Sequence, residues 1–204
     1  MYTQLFTSIA HRKQICYTTF MTRDTALQIL KKYVTNDKII KHSLASEAVM
    51  SALAARVGAD ILEWGITGLL HDADYDRTKG HPELHGVELF KLEPNSIPTP
   101  VQHAIQAHNI LYTNVKPVSM LDWALTCTDD LTLFIMAAAQ KQKEKTLVNL
   151  TPEIVTQLLN NKGFAKGAKR DMILLCEEKL GIRLSDFIAI NLKAMQGIHE
   201  QLGL

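Results

Sequence analysis

The 204-residue chain lacks the features that mark several large classes of protein. It has only three cysteines, Cys16, Cys127 and Cys176, and no Cys-x-x-Cys pair, which indicates reduced thiols in a cytoplasmic protein. No apolar run approaches the ~18 residues that a membrane-spanning helix needs. The formal net charge of +1 gives no strong nucleic-acid signal, and an apolar content of 47% argues against disorder.

The chain also has no stretch of useful length in which apolar and polar residues alternate as in a β-strand. Apolar residues recur instead with the period of an α-helix, most clearly between Asn36 and Gly58. Asp24 is predicted to cap the first helix, and Pro82 to begin the helix that carries His85. The first helix covers residues 25–34, and the other predicted helices cover residues 36–58, 60–71, 101–109, 118–140, 166–180 and 184–202, with one more that begins at Thr151. The sequence therefore predicts an all-α fold in a single domain.

Residues 1–23 differ from the rest because they contain neither Asp nor Glu. We interpret them as an N-terminal extension that need not be ordered, followed by one helical domain over residues 24–204. The alternatives are a weak targeting signal, although the segment lacks the expected Arg richness, or an upstream start with Met21 as the original initiator.

The chain has eight histidines, and most of them fall between His42 and His108. His71-Asp72 is the most informative pair, because it directly follows the apolar run over residues 66–70, which predicts a buried helix that delivers both groups to a pocket. A neutral imidazole and a carboxylate are both good ligands for a divalent metal. Further candidates on other predicted helices are His42, His85, His108 and Asp129.

A hydrolytic metal site needs ligands from several elements and an open position for water. The set His42, His71, Asp72 and Asp129 can supply such a site. Helical periodicity does not decide between Asp129 and Asp130, which point about 100° apart on a helix.

The loop after the His-Asp pair offers candidate catalytic groups. Asp74 and Asp76 are candidates to take a proton from a metal-bound water, although each could instead hydrogen-bond its own loop. Arg77 is the best candidate to hold a phosphate, because a guanidinium grips phosphate in a bidentate manner. A basic cluster near the C-terminal end of the chain is interpreted as a solvated face, with phosphate binding as the alternative. Its members are Lys162, Lys166, Lys169 and Arg170.

With this order of residues, the chain resembles the HD superfamily of metal-dependent phosphohydrolases, whose pattern is His … His-Asp … Asp. The resemblance extends to a group of HD domain predicted hydrolases and covers roughly residues 25–197. The matching stretches are HSLA (42–45), GLLHDADY (68–75), PELHG (82–86), AIQAHN (104–109), TDDLT (128–132), FAKG (164–167) and DFI (186–188). Ala73-Asp74 stands where the commoner form of the motif has Ile-Gly.

The resemblance implies an HD-type helical bundle that binds one divalent ion, or two. It aligns Asp129, rather than Asp130, with the final ligand. The ligands implied for the first ion are His42, His71, Asp72 and Asp129. In two-metal relatives the aspartate of the His-Asp pair bridges both ions, and His85 and His108 best fit the second. The metal is expected among Mn, Fe, Co, Ni, Zn and Mg.

The expected function is hydrolysis of a phosphate ester, with a nucleotide as one candidate, through a metal-activated water. The expected partner is a small phosphorylated substrate, with no membrane, and a homodimer is compatible with the sequence. Two alternatives remain: a non-catalytic HD module that binds metal and nucleotide, and an HD enzyme with a di-iron site for oxygen chemistry.

Overall fold

The computed structural model describes residues 21–204, which form α-helices and connecting turns without any β-strand. In chain order the helices are α1 (Arg23–Tyr33), α2 (Asp37–Val57), α3 (Ile61–Leu70), α4 (Tyr75–Thr78), α5 (Glu88–Leu92), α6 (Thr99–His108), α7 (Ile110–Thr113), α8 (Met120–Lys141), α9 (Pro152–Asn160), α10 (Arg170–Leu174), α11 (Cys176–Leu180), α12 (Leu184–Gln196) and α13 (His199–Leu202). The prediction of an all-α fold is confirmed over the described residues.

The described part of the chain begins inside the packed unit. Met21 is buried, and α1 begins at Arg23, so the core includes one residue that the sequence assigned to the extension. The rest of the predicted extension, with Cys16, lies outside the described residues. Within residues 21–204, none of the helices combines the length and the apolar character that crossing a bilayer requires.

Side-chain caps begin the helices that carry the site. Asn36 caps α2 and Asp60 caps α3, at the residues where the sequence predicts these helices to begin. At α1 the prediction is wrong by two residues: the cap is Thr22 and not Asp24, because the Thr22 hydroxyl accepts a hydrogen bond from the backbone N–H of Thr25 at 3.2 Å.

The predicted helix from Pro82 does not form. Residues 82–87 make successive turns, and α5 begins only at Glu88. Gly86 explains the difference, because its φ of +80° lies in the left-handed region that favours glycine. Its N–H donates to the carboxylate of Asp74 (3.0 Å to Oδ2) instead of continuing a helix. The predicted helices over 166–180 and 184–202 are likewise each divided in two.

The most extensive helix–helix contact joins α2 and α3, and glycine makes it close. A Cβ atom on Gly68 would lie 2.5 Å from the backbone oxygen of Ser46 in α2. Helix α8 packs against α2, α6 and α10. Four helix segments therefore meet in one region: the middle of α2, the C-terminal ends of α3 and α6, and the middle of α8.

Replacing Gly68 by alanine should lower the free energy of unfolding by about 2 to 3 kcal/mol, toward the upper part of the usual range for overpacked interiors. The new methyl group would meet backbone atoms of α2, which cannot rotate away. Urea unfolding followed by circular dichroism measures the change. Gly167→Ala is the matched control, since a Cβ there meets nothing within 4 Å; equal loss in both variants would contradict the close-packing argument.

Candidate metal centre

Five elements bring the sequence-predicted ligands together. His42 lies in α2, His71 directly follows α3, and His108 is the last residue of α6. His85 comes from the turns before α5, and Asp129 from the middle of α8.

The first group of side chains surrounds the imidazole of His42. Its Nε2 atom lies 3.0 Å from Nε2 of His71, 3.7 Å from Oδ2 of Asp72 and 3.0 Å from Oδ1 of Asp129. His71 Nε2 also lies 3.6 Å from Oδ1 of Asp72 and 3.5 Å from Oδ1 of Asp129. His42, His71 and Asp72 each offer one ligand atom, and these atoms lie within 4.8 Å of one another, a spacing that could hold a metal ion.

A second group shares Asp72 with the first. Oδ1 of Asp72 lies 3.2 Å from Nε2 of His85, which in turn lies 3.1 Å from Nε2 of His108. These three residues also satisfy the 4.8 Å spacing for a metal group. Asp72 therefore faces histidines on two sides, an arrangement that suits a carboxylate shared by two cations.

The opposite ring nitrogen of each histidine already has a protein partner. Nδ1 of His71 donates to the Gly68 carbonyl at 2.8 Å, and Nδ1 of His108 to the carbonyl of Ile105. His85 donates from Nδ1 to Asp74 Oδ1 at 2.8 Å.

The fourth ring, His42, has a hydroxyl partner. Its Nδ1 lies 3.2 Å from Oγ1 of Thr132, and that hydroxyl donates its own proton to the Asp129 carbonyl at 2.8 Å. The Nδ1 partners therefore assign the proton of every neutral ring to Nδ1, which leaves the Nε2 lone pairs directed at one another and at the carboxylates. A divalent cation matches this set of converging donors, and outer partners of this kind commonly fix metal-binding histidines.

In the absence of a cation, the carboxylates draw protons to two of these rings. Burial disfavours charged His71, but Asp72 and Asp129 outweigh it and raise its pKa to about 9. Burial is likewise outweighed at His85, where hydrogen bonds to Asp72 and Asp74 raise the pKa to about 10. His108 behaves oppositely: burial, with His85 and His71 nearby, lowers its pKa to about 4. Protons and a cation therefore compete for the same lone pairs.

The structure separates the two aspartates that periodicity leaves unresolved. Asp129 faces His42 and His71, and these imidazoles hold its pKa well below the ordinary value despite its burial. Asp130 instead accepts a hydrogen bond on Oδ1 from the backbone N–H of Lys169 at 3.0 Å. Burial and the neighbouring Asp129 raise the pKa of Asp130.

Asp74 lies beside the cluster, but in a position that suits support and not proton transfer from water. It is buried, and besides His85 its carboxylate accepts hydrogen bonds from the backbone N–H groups of Gly86 and Leu89. These bonds hold His85 in the turns before α5. Asn109 also supports these turns, because its side-chain amide donates to the carbonyls of Pro82 and His85 at 2.8 and 3.0 Å.

The structure does not bring Asp76 or Arg77 to the cluster. The Asp76 carboxylate accepts hydrogen bonds from the backbone N–H of Thr35 at 2.7 Å and of Asn36 at 3.2 Å, so it holds the turn between α1 and α2. Arg77 is exposed on α4, and its guanidinium has no hydrogen bond or ion pair to another described residue. We therefore assign neither side chain to the site.

Sequence reasoning missed the supporting roles of Thr132 and Asn109. Both occur in stretches that resemble the HD pattern, and Asn109 directly follows His108. That adjacency was the available signal for Asn109. The role of Thr132 depends on how α8 packs against α2, which no local pattern encodes.

A family model described as HD domain matches residues 39–148, more than half of the chain. The chain belongs to the HD domain family. The sequence-based resemblance is thereby confirmed, and the matched range includes both groups of candidate ligands in this HD domain. No solved structure matches the chain.

Replacing Asp74 by asparagine should weaken metal binding at the group formed by Asp72, His85 and His108. Asparagine turns an amide N–H₂ toward groups that are themselves donors, so His85 loses its fixed orientation. Losses of about 10- to 100-fold in metal affinity are usual for such outer partners. Metal titration with elemental analysis after dialysis measures the effect. Asp76→Asn is the matched control, and equal affinities in the two variants would contradict the supporting role of Asp74.

Proposed function

We propose that this HD domain is a metal-dependent phosphohydrolase, which cleaves a phosphate ester of a small substrate with a metal-activated water. Membership of a family associated with such enzymes and the donor set around Asp72 support the proposal. In it, His42, His71, Asp72 and Asp129 would hold one ion. Asp72, His85 and His108 would hold a second. The single observation that carries the proposal is the sharing of Asp72 between two groups of histidines.

A bound divalent ion would lower the pKa of a coordinated water and polarise a phosphoryl oxygen. The residues of the chain supply the positioning. Gly68, Ile105, Asp74 and Thr132 fix the tautomers of the four rings through Nδ1. The oxygens of Asp72 point to both groups, and its negative charge, with that of Asp129, favours a cation over a neutral ligand.

The exposure of the side chains supports approach of a substrate from one side. The His71 side chain is fully buried, whereas the side chains of Asp129 and His85 are 19% and 17% exposed. Water and substrate therefore approach along the Asp129 and His85 side, while α2 and α3 close the centre behind His71. A phosphate ester can bind at the surface of such a centre without a deep cavity. Among phosphate esters, we propose a nucleotide as the candidate substrate.

Elemental analysis of the full chain, combined with a panel of phosphate esters that includes nucleotides, tests the proposal. We expect two divalent ions per chain and release of inorganic phosphate that chelation abolishes. Metal and nucleotide binding without turnover would replace the proposal with a non-catalytic module. Two iron atoms with a visible absorption band and no phosphate release would favour an oxygenase instead.

Replacing His71 by alanine should remove bound metal and abolish phosphate release. The variant lacks one of the imidazoles that would coordinate the ion. It also removes the contacts that His71 makes with His42 and with the carboxylates of Asp72 and Asp129. Metal content per chain is the readout, with circular dichroism to show that helical content persists. His81→Ala is the matched control, because the His81 side chain is 65% exposed on a turn. Full metal content in purified His71→Ala would contradict the assignment.

A further inference from the structure

A small, shallow cleft borders the centre on the side on which Asp129 is exposed. His108 and Asp129, one residue from each group of candidate ligands, form part of its lining. Ile110 and Leu111 line it from α7, and Lys169 and Met172 line it from the segment that begins α10.

We propose that Lys169 binds the phosphate group of the substrate in this cleft, and that the apolar wall receives an apolar leaving group. The assignment of a substrate rests on the proposed function, whereas binding of an anion by Lys169 can be tested without turnover. The phosphate-binding group would then lie about 40 residues after the candidate ligand Asp129 in sequence, and not in the loop that follows His71-Asp72.

The charged residues of the cleft indicate why a cation is needed there. Two carboxylates, Asp129 and Asp130, line it together with Lys169. A bound divalent ion would offset the charge of Asp129, but Asp130 is not a candidate ligand. A phosphate ester beside the Asp130 carboxylate therefore meets like-charge repulsion, which a nearby lysine offsets. Lys169 is exposed and has no ion pair with another of the residues at 21–204, so its ammonium group is available for this role.

The backbone of Lys169 is fixed relative to the site, although its side chain is free. Its N–H donates to Oδ1 of Asp130 at 3.0 Å, and Asp130 is the neighbour of Asp129 on α8. This bond ties the start of α10 to the turn of α8 that faces His42. The buried carboxylate of Asp130 therefore fixes the position of Lys169 at the cleft.

Arg170 organises the segment that precedes Lys169. Its guanidinium donates to the backbone carbonyls of Leu159 (2.9 Å), Asn161 (3.2 Å), Phe164 and Ala165 (3.2 Å). It also lies over the ring of Phe134, with 5.3 Å between the guanidinium carbon and the ring centroid. These contacts occupy the guanidinium, so Arg170 positions the segment and leaves phosphate binding to Lys169.

The apolar residues that line the cleft on both sides, called here the apolar wall, indicate the kind of ester. Ile110, Leu111 and Met172 present apolar side chains, and Leu111 is 68% exposed. Covering such a surface with an apolar group of the substrate is favourable, because apolar area leaves water. The pairing of one cation with an apolar wall therefore suits an organic phosphate monoester with an apolar leaving group better than inorganic pyrophosphate.

The test uses the metal-loaded full chain and compares Lys169→Gln with Lys166→Gln, an exposed lysine of the same segment outside the cleft lining. Binding of inorganic phosphate is measured by calorimetry, and hydrolysis of p-nitrophenyl phosphate and pyrophosphate by steady-state kinetics. We expect Lys169→Gln to weaken phosphate binding and raise KM about tenfold, the effect of one charge-assisted hydrogen bond, with kcat and metal content changed much less. Lys169→Arg should restore most of the affinity, and Lys166→Gln should resemble the wild type.

The outcomes separate this inference from the proposed function. Phosphate binding that depends on Lys169, in a protein that hydrolyses no ester, would support the anion site and contradict the hydrolase. Hydrolysis with the same KM in Lys169→Gln and wild type would support the hydrolase and overturn the role of Lys169. Absence of phosphate binding by the wild type would also overturn it, and a preference for pyrophosphate over p-nitrophenyl phosphate would overturn the role of the apolar wall.

Discussion

The arrangement of this protein depends on where the protons of four clustered imidazoles reside, three of them buried and that of His85 partly buried. Each Nδ1 has an acceptor within the chain: the backbone carbonyls of Gly68 and Ile105, the carboxylate of Asp74 and the hydroxyl of Thr132. The Nε2 lone pairs then face each other across about 3 Å, with Asp72 between the two pairs. Lone pairs and carboxylates at this distance repel one another unless a positive charge lies among them, and protons or a divalent cation can supply that charge.

The helical packing makes this arrangement possible by bringing four helices and one turn segment to the same place. The lack of a side chain at Gly68 lets α3 approach the backbone of α2, and this approach places His71 beside His42. At Gly86 the left-handed backbone turns the chain so that His85 meets Asp72, with Asp74 and Asn109 holding that turn. Each ligand thus has rigid support, whereas Lys169 combines a fixed backbone with a free side chain.

Much of this could be predicted from the sequence, because the signals are local. The helical period between Asn36 and Gly58 gives α2 with its correct ends, and the apolar run before His71 gives a buried helix that ends at the cluster. The resemblance to the HD pattern selects Asp129 over Asp130, a choice that periodicity alone does not make.

The parts that the sequence did not predict depend on contacts between distant segments. Pro82 suggests a helix start, but the backbone of Gly86 and the carboxylate of Asp74 produce turns instead. Asp76 follows the His-Asp pair closely and yet bonds to the backbone at Thr35, since the short helix α4 directs it away from the cluster. No local sequence pattern indicates that Lys169, rather than Arg77, lies at the cleft. The packing of α10 against α8 places Lys169 there.

Anomalous diffraction from crystals of the metal-loaded protein, collected at the absorption edge of the bound metal, tests the central claim most directly. The account predicts anomalous peaks on either side of the Asp72 carboxylate, one beside His42, His71 and Asp129 and the other beside His85 and His108. Peaks located elsewhere on the molecule, or an absence of peaks at Asp72 from crystals that contain stoichiometric metal, would contradict it.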